Sequence, residues 1–477
     1  MKNYKQQFKG KKITVMGLGL LGRGIGYTKF LAECGADLIV TDLKTKEQLA
    51  PALKELKKFS GHKRGLGPIK FVLGEHRLED FRNRDMIMKS AGVPLDSIYI
   101  KEAKKNGIPV EMDVSLFAKT APEVMIIGVT GTRGKSMTTT LIYEILSAYA
   151  KASARQSKQI NEIWKIKPNV YIGGNLRGVA TLPLLKKVKK GDILVCELDS
   201  WQLQGFGEAK ISPSISVFTT FMPDHMNYYK NDMDKYFGDK ANIFKYQKKD
   251  DTLVILPEMK KWIKKEDVKG KLVVTDRKEV DAWKFNVKGD HHRNNLACAV
   301  KVAEVLGISE AKIKKVVSKF KGLEGRLQLL KIYKGIKIYN DNNATTPEAT
   351  IAGIEALVSP RHGLGEKFGS RTSKNIILIC GGADKGLNLD NFVKVVNKNC
   401  KSVVMIPGTG TNRLVSSNKL LVASEVGRDL NDIIKSALSQ AKKGDIILFS
   451  PAFASFGMFS NEYERNDLFV KIIKKLK

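Results

Sequence analysis

Two stretches of this chain carry residue types and spacings suited to handling phosphate. Gly131–Thr132–Arg133–Gly134–Lys135–Ser136 follows the apolar run Val124–Val129 and precedes a helix-forming stretch that reaches Ala150. A glycine-rich turn of this kind points backbone N–H groups at one spot, and a helix N-terminus adds positive potential there. Lys135 would reach outer phosphates and Ser136 would face a magnesium ion. The generic phosphate-loop spacing places its first glycine where Val129 stands, so this string, Gly-x-Thr-Gly-Thr-x-Gly-Lys-Ser, is a more particular pattern. The alternative is an ordinary strand–turn–helix corner, against which strand, glycines, Lys-Ser pair and helix all agree.

The second stretch is Gly17–Leu18–Gly19–Leu20–Leu21–Gly22–Arg23–Gly24, after the apolar Ile13–Met16. A helix through Cys34, Gly35 and a strand Leu38–Val40 ending in Asp42 complete a βαβ unit. An acid about twenty residues beyond the glycines is the dinucleotide fingerprint. By itself this pattern admits NAD as readily as another nucleotide.

Strand–turn–helix units are expected to position these turns, and the last third of the chain suggests a second open α/β sheet. There, Ile336–Tyr339, Ile376–Ile379, Ser402–Ile406 and Asp445–Phe449 alternate with helical stretches. Loops rich in polar residues follow three of these strands: Asn340–Pro347, Gly381–Gly386 and Ser450–Phe456. Ligands of such sheets sit at the carboxyl ends of strands. The 477 residues suffice for about three domains, placed at 1–120, 121–323 and 324–477. Lys151–Pro168 is polar and basic and reads as a surface insertion.

Composition narrows the classes. Hydrophobic residues make up 43% of the chain, an ordinary globular share. The first twelve residues hold no apolar core, so no secretory signal is expected, and no run approaches the roughly 18 apolar residues of a membrane span. Five widely spaced cysteines without a Cys-x-x-Cys pair point to a reduced, cytoplasmic protein with neither a disulfide framework nor a zinc site. The net charge of +33 could serve nucleic acid, an anionic membrane or anionic substrates. Its lysines run along the whole chain and no zinc-finger or RNA-binding string accompanies them, which favours a solvated surface and no specific nucleic acid.

The loop at 128–136 resembles the ATP loop of the Mur ligases, the enzymes that add amino acids to the peptidoglycan precursor, with Arg133 where asparagine is common. The resemblance covers essentially the whole chain. It implies a three-domain α/β fold: a Rossmann-like domain for a UDP-linked precursor, a central P-loop ATPase domain and a C-terminal Rossmann-like domain for the amino acid. It turns the N-terminal glycines towards UDP rather than NAD, with Leu20, Leu21 and Gly22 near the diphosphate and Asp42 near uracil. Ser90 falls in a Ser-Ala-Gly loop where the family has Ser-Pro-Gly, and Asn175 in a Gly-Gly-Asn turn that would touch the precursor.

In the central domain, Glu197–Leu198–Asp199–Ser200–Trp201–Gln202–Leu203 resembles a string of the D-glutamate-adding branch, with Asp199 in place of serine. The resemblance makes Glu197 a magnesium ligand together with Ser136, His225 and Lys240. Lys240 matches a lysine that carries a carbamate in these enzymes, which would turn a cation into a carboxylate. Lys135, His225 and Lys240 are the implied catalytic residues. Gly131, Thr132, Arg133, Gly134, Lys135, Ser136, Asn295, Arg326 and Asp341 would bind ATP, although His292 stands where another asparagine is usual. Thr345, Lys385 and Ser455 would bind the amino acid, with Asn343 replacing a frequent second lysine and Glu462 an aromatic.

The implied reaction uses ATP and two magnesium ions to join D-glutamate to UDP-MurNAc-L-Ala in a monomeric enzyme. A related ligase with another amino acid or acceptor, such as a poly-γ-glutamate synthase, and a non-catalytic nucleotide- or nucleic-acid-binding protein are the rival readings.

Overall fold

The structure, a computed structural model, describes residues 4–20, 22–59, 66–153, 164, 166–358 and 374–476. Three sheets organise it. The first contains β1 (Lys12–Met16), β2 (Asp37–Asp42), β3 (Ile69–Leu73), β4 (Met86–Lys89) and β5 (Val110–Glu111), in the order β3-β2-β1-β4-β5. The second contains β6 (Met125–Thr130), β7 (Val170–Gly174), β8 (Ile193–Glu197), β9 (Ile215–Phe218), β10 (Thr252–Ile255) and β11 (Lys271–Val274), in the order β11-β10-β9-β6-β8-β7. Every pairing within these two sheets is parallel. Parallel strands covered by helices are buried on both faces, which is why β6 and β8 read as continuous apolar runs.

The third sheet contains β12 (Gln328–Tyr333), β13 (Ile336–Asn340), β14 (Ile376–Gly381), β15 (Cys400–Ile406), β16 (Ala423–Val426) and β17 (Ile446–Phe449), in the order β12-β13-β17-β14-β15-β16. It is parallel except for the edge strand β12, which runs antiparallel to β13. The expected alternation of strands and helices in the last third is therefore present.

The chain divides into two compact units, residues 1–276 with 294–313 and residues 277–293 with 314–477. In the first unit the helix Arg23–Glu33 packs tightly on the turn before it, since a Cβ at Gly24 would overlap Leu18 O. The region expected as a polar insertion is in part anchored. The helix Lys135–Ser153 runs into it, and Trp164 is buried against Tyr149 and donates from Nε1 to Leu306 O at 2.8 Å. The residues 154–163 and 165 lie outside those described. All five cysteines are free and buried, and among the described residues no helix is long and apolar enough to cross a membrane.

Candidate functional site

The phosphate-type loop leaves the carboxyl end of β6, the strand that lies between β9 and β8. This topology sets Glu197, at the end of β8, and His225, beyond the end of β9, on either side of the loop. The loop is held to the segment after β9 by several bonds. Thr132 N donates to Thr220 O at 2.7 Å and Arg133 N to Thr220 Oγ1 at 2.9 Å. Thr132 Oγ1 lies 3.1 Å from both the nitrogen and the oxygen of Met222. Gly134 has φ +88°, a conformation that L side chains rarely adopt, and a Cβ there would overlap Asn295 Oδ1. Asn295 thus packs directly on the loop.

Two amines converge on one carbonyl. Lys135 Nζ donates to Gly131 O at 3.0 Å and to Thr132 O at 3.1 Å, and Lys240 Nζ donates to Gly131 O at 3.0 Å. Lys240 is only 1% exposed. Burial, and then the nearby Lys135 charge, push its amine well below the ordinary lysine value. Ser136 occupies the first turn of the helix that begins at Lys135.

The donors suit a hard cation. Glu197 is buried, its Oε1 accepts from Asn175 Nδ2 at 3.4 Å, and its Oε2 has no hydrogen-bond partner within the described structure. A buried carboxylate oxygen left without a donor is costly unless a ligand meets it. Burial also lowers the His225 pKa, favouring the neutral imidazole that metals bind. Among the described residues no three His, Cys, Asp or Glu side chains form a ready cage. Magnesium is commonly held by one or two carboxylates completed by phosphate and water. His225 has φ +55°, and its ring lies 4.6 Å from that of Trp201 in the helix Ser200–Ala209.

A cavity of about 200 Å³ opens at the N-terminal glycine turn and is lined by Gly17, Gly19, Leu20, Arg23, Lys89, Ser90, Asp113 and Gln202 among others. Leu20 and Ser90 therefore stand in one pocket, while Leu21 lies outside the described residues. Gly22 has φ +87° and precedes the helix that starts at Arg23. Asp42 sits under the turn: Oδ2 accepts from Gly19 N at 3.0 Å and Oδ1 from Lys44 N at 2.9 Å.

Two charged residues of this wall, Lys89 and Asp113, were given no role by the sequence reading. Lys89 ends β4 and is 1% exposed; it donates to Val93 O at 2.8 Å, and burial brings its pKa down to about 8. Asp113 accepts from Thr181 N at 2.7 Å and Leu182 N at 2.8 Å, with its pKa raised by burial. With its amide oriented to satisfy both neighbours, Gln202 donates to Glu197 O and accepts from Arg23 Nη1 at 3.2 Å. The only sequence signal was a charge closing the otherwise apolar strand Met86–Lys89.

In the second unit the three polar loops meet. Lys385 Nζ donates to Thr345 Oγ1 at 3.1 Å. Ala383 and Ala454 exchange backbone bonds, N to O at 3.0 Å and back at 3.1 Å, bringing the loop of Lys385 beside that of Ser455, which is buried. Asp341 is buried, accepting from Leu327 N and from Ser450 Oγ, each at 2.9 Å, and burial raises its pKa to about 7. Its two oxygens thus hold the residue after Arg326 and the start of the Ser450 loop. Arg465, which no motif marked, is fully buried beneath these loops. Of the residues departing from the family pattern, Asn343 N donates to Gly325 O at 2.9 Å, and Glu462 opens the helix Glu462–Lys475 with its carbonyl accepting from Asn342 Nδ2 at 2.9 Å. His292 is buried, with no partner for Nδ1 in the described structure, and burial takes its pKa well below the usual value.

Comparison with known proteins agrees with this arrangement along the whole chain. Residues 11–111 match the N-terminal domain described as Mur ligase MurD-like, 129–321 the Mur ligase middle domain, and 325–453 the Mur ligase glutamate ligase domain. A UDP-N-acetylmuramoylalanine–D-glutamate ligase from Roseiflexus sp. is 32% identical, over 98% of this chain and 99% of its own. The protein of that name from Borreliella afzelii is 31% identical over the same shares. Among solved structures, the UDP-N-acetylmuramate-alanine ligase of Thermotoga maritima covers 98% of this chain and 100% of its own with a TM-score of 0.58. At 19% identity it speaks for the fold. The Thermotoga maritima MurF ligase, solved in complex with ADP, has a TM-score of 0.54 at 16% identity and covers 92% of this chain and 95% of its own. On full-length likeness and on all three domains, the chain belongs to the Mur ligase family.

Proposed function

We propose that this enzyme joins D-glutamate to UDP-N-acetylmuramoyl-L-alanine at the expense of ATP. The observation that carries the reading is full-length likeness to ligases named for that reaction, together with a phosphate loop flanked by a buried carboxylate and two amines. The domains at 1–120, 121–323 and 324–477 would take the UDP precursor, ATP and the amino acid. We place the enzyme in the cytoplasm, where both nucleotides are made, and take it to be a monomer.

In the first step a carboxylate oxygen of the alanyl end attacks the γ-phosphorus of ATP, and the bond to ADP breaks. In the second the D-glutamate nitrogen attacks the acyl carbon, loses a proton, and phosphate leaves with the broken C–O bond. Lys135 stabilises phosphoryl oxygens as charge builds on them, and the loop amides fix the phosphate in line. Glu197, His225, Ser136 and a carbamate on Lys240 would hold two magnesium ions, which neutralise phosphoryl charge when bound. The lowered pKa of Lys240 supports the carbamate, because only the neutral amine attacks CO2. In that step an N–C bond forms and one proton is released, leaving an N–H to bond Gly131 O.

Leu20, Leu21, Gly22, Asp42, Ser90 and Asn175 would serve the UDP precursor. Asn295, Arg326 and Asp341 would serve the nucleotide, and Thr345, Lys385 and Ser455 the two carboxylates of D-glutamate. The test is phosphate release with purified enzyme, ATP, Mg²⁺ and UDP-MurNAc-L-Ala, adding D-Glu, L-Glu, D-Asp, L-Lys or Gly in turn. Turnover with D-Glu is expected; turnover with L-Lys or Gly and none with D-Glu would leave only the ligase chemistry standing.

A further inference from the structure

The helix Thr409–Ser416 is docked on the loop that follows β14. Gly410 N donates to Gly382 O at 2.9 Å, and Gly382 N donates to Thr411 Oγ1 at 3.1 Å. Asp384 N donates to Thr409 Oγ1 at 2.9 Å. A Cβ at Gly408 would overlap the Gly382 carbonyl, so helix and loop meet backbone to backbone. From this docked helix Arg413 reaches further along the loop. Its Nη1 donates to Asp384 Oδ1 at 2.8 Å and to Oδ2 at 2.7 Å, and its Nη2 donates to Leu387 O. Asp384 and Leu387 lie on either side of Lys385–Gly386, so one guanidinium grips the segment before and after the lysine. The carboxylate is also held from inside its own turn, where Oδ1 accepts from Gly386 N at 3.0 Å. That bond ties the turn to itself, whereas the bonds from Arg413 tie it to the helix. Without the guanidinium, Asp384 keeps its backbone anchor on Thr409, but its carboxylate and the Leu387 carbonyl both lose their partner on the helix.

We infer that Arg413 is a positioning residue for the amino-acid end of the reaction: it sets where the Lys385 ammonium stands to meet a carboxylate of the incoming amino acid. Lys385 Nζ reaches Thr345 Oγ1 at 3.1 Å, so its placement also decides whether the two loops present their donors together. A bidentate guanidinium–carboxylate pair fixes orientation as well as charge, which a lysine at 413 reproduces only in part. Arg413 acts through charge too. An Asp384 carboxylate without its guanidinium would stand one residue from Lys385, compete for the ammonium and repel an anionic substrate. The role of Lys385 towards a carboxylate rests on the ligase reading, whereas the bridge between helix and loop does not.

Hydrogen exchange of the ligand-free, full-length protein reads the loop without any turnover. In Arg413→Ala the amides of residues 384–387 should exchange at least about fivefold faster than in wild type, and in Arg413→Lys the increase should be smaller. The Arg413 side chain is 40% exposed, so its removal opens no buried cavity and the urea midpoint should stay near wild type. In turnover, KM for D-glutamate should rise about five- to tenfold in Arg413→Ala, with kcat and the KM values for ATP and UDP-MurNAc-L-Ala within about twofold of wild type. Asp384→Asn should raise the same KM, and combining it with Arg413→Ala should add little to either single change. Unchanged exchange at 384–387 in a folded Arg413→Ala protein would overturn the inference. So would faster exchange with KM for D-glutamate unmoved, or an equal rise in all three KM values. Faster exchange in the variant of an enzyme whose wild type turns over no D-glutamate would uphold the positioning of Lys385 and count against the proposed function instead.

Discussion

Arg465 holds Asn342 twice, Nε donating to the side-chain oxygen at 2.8 Å and Nη2 to the backbone carbonyl at 2.9 Å. A third contact reaches Phe453 O at 3.5 Å. One fully buried cation thereby ties the loop after β13, which carries Thr345, to the loop after β17, which carries Ser455. Burial lowers its pKa to about 10, so it remains charged at neutral pH.

Replacing Arg465 with methionine should therefore destabilise the protein by about 2–4 kcal/mol, because buried polar groups of Asn342 lose their partners. The KM for the amino acid should rise as the two loops loosen. Calorimetry of wild type and variant, with amino-acid titration of the rate, checks both parts.

Lys135→Ala should leave thermal stability near wild type, since its amine bonds to carbonyls of its own loop, Gly131 O and Thr132 O, rather than to a core. Turnover should fall by about 10²–10³, the range for loss of a donor aimed at developing charge. A folded variant with near-full activity would remove the assignment of this loop to ATP.

Lys240→Ala should be nearly inactive and partly restored by formate or acetate, which supply the carboxylate that the carbamate would provide. Wild-type activity should fall in CO2-depleted buffer and return with bicarbonate. Equal activity with and without CO2 would speak against the modification.

Asp341 gives a pH prediction. Its carboxyl is raised from 3.8 to about 7, so between those values the folded state keeps a proton that the unfolded state has lost. Stability from this group is thus full below about pH 4 and declines as pH rises to about 7, by on the order of 4 kcal/mol in total. Asp341→Asn lacks the titration. Urea midpoints at pH 5 and pH 8 should show wild type losing ground to the variant at the higher pH.

Much of this architecture could be read from the sequence because apolar runs ended by glycine turns are local signals. The strand expected at Ile336–Tyr339 is β13 with one residue more, and the expected Ser402–Ile406 lies within β15. The antiparallel edge β12 was not marked, since partly exposed strands lack the continuous apolar pattern of buried ones. The site divides in the same way. Lys135 and Ser136 are legible from spacing to neighbouring glycines. Arg465 and Asp113 are not, because their partners, Asn342 and Thr181, lie far along the chain, and nothing local tells a buried charge from a solvated one. The contact of Asp224 with Arg133 is hidden from local reading in the same way, because it crosses 91 positions.

The backbone at His225 limits how this residue can be probed. At φ +55° it occupies the left-handed region, which costs most L residues roughly 1 kcal/mol or more and asparagine less. An alanine scan would therefore conflate two losses here, the imidazole and the shape of the loop that presents it. Asparagine keeps the turn affordable while deleting the ring, and glycine relaxes the turn altogether. Comparing the three substitutions would separate what the histidine does chemically from what its unusual backbone does mechanically.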